Sequence, residues 1–236
     1  MDGAGFRKGP ASRASGGNGI VRRVICYVDG FNLYHAICDK CETRPDLAYL
    51  KWLDLAGLAR SLLKPYDQLE AVRYFSAYAE WLPKKWARHK EYVTALRATA
   101  VDVNIARFKD KLMRCPQGHT WTAHEEKETD VHFALSVLED AFDDKFDAAV
   151  LVTADSDYVP VIKKVRARWP KKKIVVAAPP GRLGRARDLA DQANGRFEIT
   201  LGKLRANLLP ATVLAPDGTV IVTRPTSYQP PAEPAA

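Results

Sequence analysis

Residues 24–36 read VICYVDGFNLYHA, and residues 148–160 read AAVLVTADSDYVP. Each stretch opens with an apolar run of strand length that lacks polar alternation, the pattern of a strand covered on both faces. Each run then ends in acid: Asp29 in the first, Asp155 and Asp157 in the second. Parallel sheets place ligand sites just beyond the carboxyl ends of their strands, where helix N-termini converge. The three aspartates are therefore candidate ligand-binding groups. Aspartate also caps helices by accepting an N–H, which would account for one acid after a strand. It does not readily account for two, Asp155 and Asp157, after the same strand.

Further outward, short apolar runs alternate with longer helical patterns. Strands are expected at Val24 to Val28, Ala71 to Ser76, Val101 to Phe108, Ala148 to Thr153 and Ile174 to Ala178. Helices are expected at Trp52 to Leu63, Pro83 to Thr99, Asp130 to Phe142, Val159 to Trp169 and Arg185 to Ala193. That alternation predicts an α/β fold, a mostly parallel central sheet with helices on both faces. In the third helix Val131, Ala134, Leu135, Leu138, Ala141 and Phe142 form one stripe, expected to face the sheet. Near the end, TVLAPDGTVIVTRP predicts two short strands about an Asp-Gly turn.

The chain of 236 residues is long enough for a sizeable single core. Its 36 Lys and Arg against 28 Asp and Glu give a net charge of +8, which favours polyanionic partners, nucleic acid first among them. Cys26, Cys38, Cys41 and Cys115 are too few and too uneven for a secreted disulfide scaffold, so the chain reads as cytoplasmic. No apolar run approaches the ~20 residues of a membrane span, and no membrane partner is expected.

A further acid lies in KETDVHFAL. Thr129 is a plausible N-cap, which puts Asp130 in the first turn of the third helix, with Glu128 in reserve as the acid directed to the same centre. Gathering Asp29, Asp130, Asp155 and Asp157 in one place costs several kcal/mol per uncompensated buried charge, and a divalent cation removes that cost. An all-oxygen carboxylate set suits Mg²⁺ or Mn²⁺. Such an ion activates water and holds a phosphate, while a basic surface holds a nucleic-acid backbone.

The strings VDGFNLYHA, KETDVHFAL and LVTADSDYVPVIKKV resemble the three motifs of NYN domains, LabA-like bacterial relatives of the PIN-domain ribonucleases. The resemblance runs from about Val21 to Leu209. It implies a PIN-like three-layer α/β/α sandwich and metal-dependent cleavage of RNA in a domain over 20–209. Around that domain lie a disordered N-terminal tail over 1–19 and, over 210–236, a hairpin-like appendage with a Pro-rich tail. By resemblance, Asp29 is the first-motif acid with Asn32 beside it, Asp130 the middle acid, and Asp155 and Asp157 the final pair. Thr153 and Ser156 match hydroxyl positions near the metal and substrate.

Cys38, Cys41, Cys115 and His119 have the ligand types of a Cys₃His zinc site. Many relatives carry Cys-x-x-Cys-Gly-His before the acidic motif; here Gln117 stands at the second cysteine position, and free thiols are the alternative. Arg107, Lys109 and Lys127 flank the acidic motif or the strand before it and are the expected phosphate contacts. Trp81, Trp86, Trp121 and Trp169 lie beside basic residues, where an exposed aromatic could stack an unpaired base. The leading expectation is a metal-dependent ribonuclease. Its competitors are a non-catalytic RNA- or protein-binding regulatory module of the same fold and a phosphatase acting on small phosphoesters.

Overall fold

The computed structural model describes residues 21–231. The expected N-terminal tail and the last residues of the Pro-rich tail lie outside that range. The chain runs β1 (Arg22–Asp29), α1 (Gly30–Thr43), α2 (Leu55–Leu62), β2 (Asp67–Ala77), α3 (Pro83–Ala98), β3 (Asp102–Arg114), β4 (Thr120–Lys127) and α4 (Thr129–Phe142). It continues through β5 (Ala148–Val152), α5 (Val159–Arg168), β6 (Lys173–Ala178), α6 (Arg187–Gln192), β7 (Gly195–Glu198), α7 (Leu201–Arg205), β8 (Thr212–Leu214) and β9 (Val220–Thr223). Seven strands form one sheet in the order β4-β3-β2-β1-β5-β6-β7. All neighbours pair parallel except β3 and β4, which form an antiparallel hairpin.

β1 and β5 sit at the centre, and their alternating side chains feed two cores. Val24, Cys26, Val28, Val150 and Val152 pack with Leu33 and Ile37 of α1, Leu55 and Leu58 of α2, and Val93 and Leu96 of α3. Ile25, Tyr27, Ala149 and Leu151 pack with Phe133 and Val137 of α4, and with Val161, Ile162 and Val165 of α5. Burial on both faces explains why these strands read as continuous apolar runs. The result is the expected three-layer α/β/α sandwich.

The stripe expected on α4 is half right: Ala134, Leu138 and Ala141 pack against the core, but the rest do not. Val131 is 60 % exposed, Leu135 49 % and Phe142 76 %, whereas Phe133, Val137, Asp140 and Ala141 face the sheet. The reason is Asp140, a charge on the buried face that the hydrophobic pattern rejects. It accepts from Tyr27 Oη at 2.7 Å and from Arg73 Nε and Nη2 at 2.7 and 2.9 Å, so the buried carboxylate is compensated. Glu128, with a left-handed backbone at φ 79°, is the residue before α4, and Thr129 is its first residue rather than its cap.

β8 and β9 pair antiparallel around Asp217 and Gly218, the latter at φ 85°. Trp52, Ala95, Leu209, Val213 and Tyr228 bury together, tying this segment to the body. Among the described residues, no helix is long and apolar enough to cross a membrane.

Candidate active site

The carboxyl ends of β1 and β5 lie side by side, with Val28 opposite Val152 in register. Asp29 is 4 % exposed at that rim. Its Oδ1 accepts the Asn32 N–H at 2.9 Å and thereby caps α1. Its Oδ2 accepts from Thr153 Oγ1 at 3.0 Å, and Thr153 Oγ1 in turn accepts the Asp155 N–H at 3.1 Å. Asn32 Oδ1 accepts the Ala154 N–H at 3.1 Å. Asn32 and the fully buried Thr153 thus stitch the two strand ends together. Gly30 is required next to Asp29 because a Cβ there would stand 2.6 Å from the Tyr74 ring and 2.7 Å from the Phe75 carbonyl oxygen.

Asp155 Oδ1 accepts the Asp157 N–H at 3.0 Å and caps a short 3₁₀ turn, Ser156–Tyr158. Asp29 and Asp155 are therefore caps, and both also face the rim. Ser156 and Asp157 are exposed on that turn. Asp130 enters from the first turn of α4. Single carboxylate oxygens of Asp130, Asp155 and Asp157 lie within 4.8 Å of one another, a set able to hold a metal ion. Asp29 lies behind this triad.

Tyr158 links the two layers of acid. Its hydroxyl donates to Asp130 Oδ1 at 2.6 Å and lies 3.5 Å from Asp29 Oδ2. Sequence reasoning passed over Tyr158, and the only available signal was its place between the final aspartates and the α5 pattern. Burial is the main reason the Asp29 carboxyl is pushed up to about 6; the Asn32 and Thr153 hydrogen bonds oppose the shift, and the charges of Asp130 and Asp155 add to it. Asp130 is also raised, chiefly by burial, against the hydrogen bond from Tyr158 and with the charges of Glu126, Asp155 and Asp157. Concentrated negative charge of this kind is what a divalent cation relieves, and the donors are the hard oxygens that Mg²⁺ and Mn²⁺ prefer.

The acids open into a groove of about 510 Å³ whose other walls include Phe31, His35, Phe108, His124 and Arg182. Trp81, 37 % exposed, stacks on His124 with ring centroids 3.8 Å apart and meets Phe108 edge-on at 4.6 Å. Trp121 is exposed as well, whereas Trp86 and Trp169 are half-buried. Glu126, a groove acid that sequence reasoning missed, faces the site because it pairs with Phe108 across the hairpin.

That pairing also sets which way the expected phosphate contacts face. Phe108 and Glu126 face the groove, so period-two alternation turns Arg107, Lys109 and Lys127 to the other face. There Arg107 pairs with Glu128 at 2.8 Å and Lys127 with Glu125 at 2.8 Å. Glu128 is thereby held away from the acid centre, while Asp130 reaches it. The zinc set is not assembled: Cys38 and Cys41 lie on α1, Cys115 and His119 flank the β3–β4 turn, and all four cysteines are free. Among the described residues the metal-type convergence is the aspartate triad.

The acids gather at the carboxyl rim of a mostly parallel sheet, where open α/β proteins bind their ligands. The NYN domain model matches residues 23–201, and the chain belongs to this family of PIN-like nucleases. The chain is 28% identical over 230 residues to 6-hydroxy-3-succinoylpyridine 3-monooxygenase HspA of Pseudomonas putida (strain DSM 28022 / S16), covering 81% of this chain and 71% of that protein. Among solved structures it is similar to VPA0982 of Vibrio parahaemolyticus RIMD 2210633, a protein of unknown function, with TM-score 0.53 and 20% identity over 82% of this chain and 99% of that one. That second likeness concerns the fold alone.

Proposed function

We propose that this protein is a metal-dependent ribonuclease that cleaves RNA phosphodiester bonds in the groove over Asp130, Asp155 and Asp157. One observation carries the reading: carboxylate oxygens from α4 and from the loop after β5 meet within 4.8 Å in a chain of net charge +8. A Mg²⁺ or Mn²⁺ ion held by these acids would supply Lewis-acid activation of water and neutralise phosphate charge.

The chain's own residues do the rest. Thr153 and Asn32 lock the two strand ends, so the acids keep their positions without relying on substrate. Tyr158 orients Asp130 through a short hydrogen bond. Asp29, walled off from water, adds charge from behind the triad. Arg182 and His35 border the groove as candidate contacts for phosphate, while Trp81 and Phe31 offer ring faces and edges to an unpaired base. Ser156, exposed beside Asp157, remains a candidate substrate contact.

The test is cleavage of labelled RNA in Mn²⁺ by wild type, Asp155→Asn and Asp130→Asn. Each variant is expected to lose at least about 100-fold in rate. Wild-type cleavage no faster than that of the variants, with RNA binding retained, would leave a non-catalytic RNA-binding module instead.

A further inference from the structure

On the other side of Phe31 from the acidic groove, α1, β2 and α3 enclose a second cavity of about 110 Å³. Its wall is largely aromatic, with Tyr34, Tyr74, Trp86, Tyr92 and Tyr228 among the lining residues. Tyr228 comes from the C-terminal segment, which closes one side. An engineered cavity of about 150 Å³ accommodates benzene, so this space has the scale of one ring.

Two features separate it from a packing defect. Trp86 Nε1 and Arg88 Nε are shut off from solvent and have no hydrogen-bond partner. Buried donors are almost always paired, and leaving one unpaired costs about 1–3 kcal/mol. Both belong to lining residues, and both are donors, so the missing partner is an acceptor. Charge is equally one-sided: Lys51, Lys85 and Arg88 line the cavity and no carboxylate does. His89, also in the wall, is pushed down to about 4 by burial, so it is neutral near pH 7.

We propose that this cavity binds a small aromatic carboxylate, one planar ring whose acceptor oxygens meet Trp86 and Arg88. The site is independent of the aspartate triad, so its test does not depend on RNA cleavage.

The experiment is calorimetric titration of the full chain with 4-hydroxybenzoate and, as a ligand too large for a one-ring cavity, with uridine 5′-monophosphate. Wild type should bind the benzoate with Kd below about 1 mM. Trp86→Phe keeps a ring and removes the N–H; Arg88→Met removes the guanidinium. Each should weaken binding by about tenfold or more. Ala79→Phe, which adds bulk at the wall, should abolish it, and Asp155→Asn should leave it unchanged. Circular dichroism melts verify that each variant is folded. Preference for the benzoate supports the proposal, and preference for the nucleotide contradicts it. The proposal is overturned if the benzoate does not bind wild type, if the nucleotide binds more tightly than the benzoate, or if all three cavity variants bind as wild type does.

Discussion

Replacing Asp155 with Asn removes one negative charge from the triad yet keeps an oxygen to accept the Asp157 N–H, now 3.0 Å from Asp155 Oδ1. The cap therefore survives and the change isolates electrostatics. Oxygens of Asp130, Asp155 and Asp157 lie within 4.8 Å of one another. Two like charges about 4 Å apart repel by about 1 kcal/mol even in bulk water. Asp155 takes part in two such pairs, so Asp155→Asn should raise stability by about 1–2 kcal/mol in chelator at low ionic strength. Salt should erode that gain. A cation reverses the order. At about 100 times its Kd it adds about 2.7 kcal/mol to a protein that binds it, equivalent to about 5–10 °C in Tm for a domain of this size. Wild type should show that rise with Mn²⁺, and the variant little of it. Scanning calorimetry and urea melts, in chelator and in Mn²⁺, supply the measurement. An Asp155→Asn protein that is less stable than wild type in chelator and gains as much from Mn²⁺ would refute the reasoning.

Three other outcomes are expected. The Asp29 carboxyl titrates near about 6 in the folded protein, against 3.8 ordinarily. The folded state therefore holds its proton more tightly, and the stability cost of ionising it grows from about pH 4 to about pH 6 and is complete above that. Asp29→Asn removes the cost, so urea melts in chelator should show it more stable than wild type by about 3 kcal/mol at pH 8, with the advantage fading towards pH 4; a pH-independent difference would contradict this. Asp140→Ala leaves Arg73 half-buried and Tyr27 Oη without its acceptor; a loss of about 3–5 kcal/mol is expected in equilibrium unfolding, and a loss under 1 kcal/mol would show the network to be inert. Gly30→Ala sets a methyl 2.7 Å from the Phe75 carbonyl oxygen. It should cost about 1–3 kcal/mol and lower Mn²⁺ affinity by shifting Asp29, measurable by calorimetry.

The central strands were legible because burial on both faces removes polar alternation, leaving runs such as Val24–Val28 that admit little else. Asp29 and Asp155 stood out for the same reason, as charges at the end of apolar segments. What escaped has an equally physical cause. β4, with Thr120, Thr122, His124, Glu125 and Glu126, forms an exposed hairpin arm and carries no apolar period. Only reading the hairpin reveals the facing of Phe108 and Glu126, and with it the facing of the basic residues beside them. The α4 stripe was only half right because of Asp140, since a compensated buried carboxylate is indistinguishable in sequence from a solvated one. Tyr158 was missed because its hydroxyl acts across 28 residues to reach Asp130.

Asp29 and Asp155 each grip the amide that begins the next helical turn, at Asn32 and Asp157. Drawing either carboxylate oxygen towards a ligand must slacken that grip, and tightening the side chain must slow the amide's opening. Deuterium uptake at these two peptide groups should thus act as a built-in gauge of events in the groove, readable without any RNA substrate.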